Sequence, residues 1–165
     1  MENFVDNTLV TDVAREVVSE IAPQEMPIFM AASRAYFNDP KKALHEIRSK
    51  DDALGFGMEA LGVVVTPVVL HIISEVFAFL IGVARKATED GLAKEIPQLL
   101  KAMFKKYQGS QPDVPTVLTR EQIGLIHANV LLAAENLRLP PDKAKSLANA
   151  ITTQLVLPNG GQSNV

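Results

Sequence analysis

Residues 53–84 read ALGFGMEALGVVVTPVVLHIISEVFAFLIGVA, and how they fold decides how the rest of the chain is read. Glu59 and Glu75 are the only formally charged residues in the stretch. β-Branched residues are frequent, yet there is neither the alternation nor the turn chemistry of strands, and the length favours helix. Pro67 lies near the middle, so a kink or a break into two helices is expected there. A window from Val63 to Ile81 is about as apolar as a membrane helix over the usual ~19 residues. A bilayer span takes roughly 20 such residues. Against a span stand Pro67, His71 and Glu75, and a central carboxylate costs about 2.5–3.5 kcal/mol on insertion scales.

The polar groups of the stretch fall on one side. His71, Ser74, Glu75, Ala78 and Gly82 lie at i, i+3, i+4, i+7 and i+11 and make a narrow polar and small face. Ser74, Ala78 and Gly82 form the small-xxx-small ladder that lets membrane helices approach closely. Two readings follow. In one, the stripe packs against sister helices and the apolar sides meet lipid. In the other, the segment is the central helix of a soluble bundle and the stripe reaches water. The flanking bases do not separate them: Arg48 and Lys50 precede the segment, and Arg85 and Lys86 follow it.

Amphipathic helices are expected on either side. Residues 8–22 place Val10, Val13, Ala14, Val17, Val18 and Ile21 on one face, and Pro23 ends the run. A second helix is expected from about Pro27 to Phe37. Asp39 can cap a third with Pro40 at its first position, and Asp51 and Asp52 a fourth. After residue 84, a helix opening at Pro97 carries Ile96, Leu99, Leu100, Met103 and Phe104, flanked by Lys101, Lys105 and Lys106 as a basic amphipathic face.

Residues 108–117, QGSQPDVPTV, read as a linker. Beyond it, Thr119 and Gln122 match the capping box, with Leu118 and Ile123 as its hydrophobic staple. Helices over 120–137 and 141–156, turned at Arg138-Leu139-Pro140, make an αα-hairpin. The fold expected is therefore all-α: a helical body over 1–107 around a long central apolar helix kinked near Pro67, the linker, a C-terminal hairpin module over 118–157, and a disordered tail over 158–165.

Composition excludes several chemistries. The chain has 165 residues, no cysteine and no tryptophan, so thiolate sites and disulfides are ruled out. Its net charge of -3 has no basic run of the kind that grips nucleic acid. The acidic N-terminus shows no secretory or transit signal, which places the expected location inside the cell, in the cytoplasm or against the inner membrane. His45-Glu46 lacks the second histidine of a zinc-protease motif, because Ser49 stands there. Gly55-Phe56-Gly57 with Ala60 fits a loose dinucleotide spacing without the strand that motif needs. His71 and Glu75 are only two ligands, too few for a metal site. No catalytic, cofactor or metal motif is found.

Three functions are weighed. The first is a non-enzymatic protein that associates with membranes through 53–84, as an inserting effector or a recruited module, and that can form homo-oligomers. The second is a soluble helical adaptor whose partner surface is the C-terminal hairpin, marked by exposed leucine or isoleucine. The third is a small-molecule binder, marked by a cavity containing His71, Glu59 or Glu75.

Overall fold

The computed structural model describes residues 7–45, 65–87, 96–110 and 118–157. Among them the regular structure is helical, and the one extended pairing is an isolated bridge between Phe104 and Leu155. Helix α1 (Asn7–Ile21) buries Leu9, Val10, Val13, Ala14, Val17, Val18 and Ile21, a stripe recurring every three or four residues. Pro23 stops it and opens a 3-10 turn, Pro23–Ile28, which leads directly into α2 (Phe29–Asn38). Phe29, Ser33 and Tyr36 form the inward stripe of α2. Asp39 then caps the next helical run as expected, its Oδ1 accepting from the Lys42 N–H at 3.1 Å. Ala43 and Leu44 of that run are half-buried against the core; Ile47, and the caps expected at Asp51 and Asp52, lie outside the described residues.

Helix α3 (Thr66–Ala87) is the centre, packed against α1, α2, α4 (Ile96–Ala102) and α5 (Arg120–Asn136). Of the kink or break expected at Pro67, the described residues show a helix boundary. The helix starts at Thr66, so Pro67 is its second residue, where a missing N–H breaks no intrahelical bond. The chain just before it, 46–64, lies outside the described residues.

This helix begins inside the protein: Val65, Thr66 and Val68 are all buried. The first N–H groups of a helix have no intrahelical acceptor, and buried ones must find another. Glu25 of the 3-10 turn supplies it. Its Oε2 accepts from the Val65 N–H at 2.8 Å, and its Oε1 from the Thr66 N–H at 2.9 Å and the Thr66 hydroxyl at 2.7 Å. The carboxylate is only 6% exposed. It also sits where the helix dipole favours negative charge, while α3 has no acid of its own in the first turn.

The remaining elements close over this centre. Phe104 follows α4 and stacks on Phe77 of α3, with ring centroids 5.3 Å apart. The main chain beside Phe104 pairs with residues near Leu155: the Lys105 N–H donates to the Gln154 carbonyl and the Val156 N–H to the Met103 carbonyl, both at 2.8 Å. In the hairpin, Thr119 and Gln122 make the expected capping box on α5. Helix α6 (Pro141–Thr153) buries Ala144, Leu147, Ala148 and Ile151. Arg138 turns the chain between them with φ 65°. Its N–H donates to Glu135 and that of Leu139 to Ala134, the paired bonds of a Schellman motif with arginine in the left-handed position glycine usually takes. The hairpin packs on the body: α6 lies on α1, and Lys143 Nζ donates to the Ile21 carbonyl at 2.9 Å. Of the expected linker, residues 108–110 belong to a second 3-10 turn, Lys105–Ser110, and 111–117 lie outside the described residues.

Glu25→Ala would leave two buried N–H groups and a buried hydroxyl without their acceptor, at about 1–3 kcal/mol for each group left unmade. With partial relaxation the expected loss is about 2–4 kcal/mol in urea or thermal unfolding. A loss under about 1 kcal/mol would show that the cap is not needed.

Candidate functional site

The residues singled out on α3 form its outward side. His71 and Ser74 are half-buried, and Glu75, Ala78 and Gly82 are exposed. Nothing lies within 4 Å of where a Cβ on Gly82 would sit. Around them Ile72, Ile73, Val76, Phe77, Leu80 and Ile81 turn into the core. The polar and small stripe therefore meets solvent, and most of the apolar surface meets other helices of the same chain. By length and composition α3 is still the one described helix able to cross a membrane, its most apolar 18 residues having mean hydropathy 2.1, with 61% of them buried.

At the α2 end of the stripe a short polar chain forms. The Tyr36 hydroxyl lies 3.4 Å from His71 Nδ1, and His71 Nε2 lies 3.4 Å from Glu75 Oε1. With Nε2 carrying the proton, Nδ1 accepts from the tyrosine and the ring is held between its two partners. Ser74 also donates its hydroxyl proton to the Leu70 carbonyl at 2.8 Å, within its own helix. Burial raises the Tyr36 hydroxyl above its ordinary pKa of 10.0; the hydrogen bond with Ser74 opposes this and the Glu75 charge adds to it. Tyr36 is thus a neutral donor, not a nucleophile, at ordinary pH. Among the described residues no group of three histidine, aspartate or glutamate side chains can hold a metal ion.

The three lysines are divided between two elements. Helix α4 ends at Ala102, so Lys101 lies on it, whereas Lys105 and Lys106 open the 3-10 turn beyond Phe104. Pairing of the Phe104 strand segment with Leu155 is what interrupts the helix expected over this stretch. Lys106 reaches Glu16 of α1 at 3.6 Å and lies 5.5 Å from the centre of the Tyr107 ring, whose hydroxyl donates to Asp12 at 3.0 Å. Lys106 thus joins the 3-10 turn to α1. Ile96, Leu100, Met103 and Phe104 are all buried.

Helix α5 carries a feature not singled out from the sequence. Leu125 and Leu132 are 53% and 58% exposed, with exposed Ala128 between them. Spaced three and four residues apart, they form an apolar ridge on the side away from α6 and the core. Gly124 beside it is open, with nothing within 4 Å of a Cβ built there. The low amphipathicity of α5 is the signal that could have found it: leucine, isoleucine, valine and alanine recur on every side of REQIGLIHANVLLAAEN. His127 is half-buried and shares a 2.9 Å hydrogen bond with Asn149 of α6, which accounts for it structurally.

Between α3 and α5 runs a half-enclosed slot of about 200 Å³. Ile72, Val76, Ile126 and Val130 are its buried walls. Phe79 and Ala133 are half-buried sides, and the exposed Glu75 and Asn129 stand at its opening.

Because the folded state holds Tyr36 neutral above its ordinary pKa, stability from this group is complete below pH 10 and is lost as pH rises through the raised value. The tyrosinate absorbance present in the wild type and missing in Tyr36→Phe should titrate with a midpoint above 10. A midpoint at or below 10 would mean the hydroxyl is reached by solvent. No protein-family model, curated protein or solved structure matches this chain. Its candidate surfaces are therefore defined by their own geometry: the outward stripe of α3, the leucine ridge of α5 and the slot between these helices.

Proposed function

We propose that the chain is a non-enzymatic helical adaptor, acting inside the cell, which binds an amphipathic helix of a protein partner along α5. The observation that carries this is the ridge of Leu125, Ala128 and Leu132. Two leucines more than half exposed and two turns apart, with Ala128 one turn from each, match the anchors by which one helix lies along another. Glu121 and Glu135 stand near the two ends of α5 and Arg120 is its one arginine or lysine, so a partner helix with basic residues beside its apolar face fits best. Gly124 and Ala128 leave room for close approach.

Leu125→Asn with Leu132→Asn should change unfolding stability by no more than about 0.5 kcal/mol, since neither side chain is buried. The same pair of substitutions should remove a specific partner from material captured out of the source cell and identified by mass spectrometry. Identical captured sets for wild type and variant, together with unchanged sedimentation, would end this reading.

A second reading keeps membrane association, because α3 has 22 residues and its most apolar 18 have mean hydropathy 2.1. It requires α1, α2, α4 and α5 to leave the apolar sides of α3 before lipid can reach them. On this reading the chain floats with anionic liposomes after a trigger such as mild acid, and Ala78→Leu weakens self-association by obstructing helix approach. Retention in the aqueous fraction at neutral and at mildly acid pH removes it.

A further inference from the structure

We propose that the slot between α3 and α5 binds a small organic cation: an ammonium group carried on a short aryl or branched alkyl body. The first argument is room. An apolar cavity of about 150 Å³ is enough to take up benzene. This one offers about 200 Å³, half open to solvent, which suits a six-membered ring with a short tail reaching out. The second is lining. Ile72, Val76, Ile126 and Val130 offer the inner part no polar group, so what enters must be apolar.

The third argument is charge. Among the described residues no base lines the slot, and the one charged group there is the Glu75 carboxylate at the opening, beside the Asn129 amide. A cation seated there meets an acceptor, whereas an anion meets a like charge. Glu75 reaches His71 through Oε1, and a carboxylate has two oxygens and about four acceptor positions, so holding the imidazole leaves capacity for an ammonium. Phe79, at the side of the slot, adds an aromatic ring to the wall. Leu125 and Leu132 do not line the slot, so this site stands or falls separately from partner docking on α5.

The test uses 2-phenylethylammonium chloride titrated into the methyl-labelled full chain, with 2-phenylethanol as its uncharged match. The amine should saturate with a Kd in the high micromolar to millimolar range, as a ligand of about nine heavy atoms allows, and shift the methyl signals of Ile72, Val76, Ile126 and Val130. The alcohol should bind about two- to fivefold more weakly, the modest worth of an exposed charge pair. Glu75→Gln, at an exposed position, should bring the amine down to the affinity of the alcohol. Ala133→Leu, which fills the slot, should weaken both by at least about tenfold. No saturable shift up to about 10 mM amine, shifts centred elsewhere, or equal affinities for amine and alcohol would each overturn the proposal. So would amine binding unchanged in Glu75→Gln, a variant that decides the matter even where Ala133→Leu fails to fold.

Discussion

The carboxylate of Glu25 solves a problem created by burying the start of the most apolar helix. Val65 and Thr66 bring donors into a region shielded from water, and α3 carries no acid in its own first turn to meet them. Pro67 removes one further donor from that end of the helix. What remains is answered from about 40 residues earlier in the chain, by a turn that prolines at positions 23 and 27 help to shape. A buried charge is tolerable only when hydrogen-bonded, and this one accepts three such bonds.

With its start pinned, the rotation of α3 determines which residues meet solvent. The side bearing Ile73, Phe77 and Leu80 is enclosed, and the side bearing Glu75, Ala78 and Gly82 is open. The Tyr36–His71–Glu75 chain marks the border, with Tyr36 fully inside, His71 halfway and Glu75 outside. On the far border of the same stripe, α5 approaches closely enough to bury Ile126 and Val130 but leaves the slot beside Phe79 unfilled. Small residues on the stripe leave open space, and incomplete meshing of two helices leaves a recess lined by large apolar side chains. These are different kinds of surface, which is why the partner ridge and the cation slot can be argued apart.

Much of the architecture was legible in local patterns. The all-α class, the central apolar helix, the Asp39 and Thr119 caps, the hairpin and its inward positions all rest on periodicity or on side chains acting within a few residues. The stripe on α3 was also legible as a stripe, since three- and four-residue spacing fixes which residues share a side. Which way it faces was not, because that depends on Glu25 and on the helices that arrive from elsewhere. The stretch carrying Lys101, Lys105 and Lys106 was only partly legible for the same reason. Its helical spacing was sound, but tertiary pairing of Phe104 with Leu155 took the chain out of helix. Leu125 and Leu132 carried no sequence signal that set them apart from the other apolar residues of α5, and the placement of α3 and α6 leaves them outside.

The bridge between Phe104 and Leu155 also bears on how fast this fold is reached. Helical proteins assembled from neighbouring segments fold quickly because few of their contacts wait on distant parts of the chain. Here the stacked Phe77–Phe104 pair is completed by a strand-like contact with Leu155, some 50 residues further on, while α6 must also return to α1. Closing such spans carries an entropy cost before the packing rewards it. The chain should therefore fold more slowly than its helix content alone would suggest.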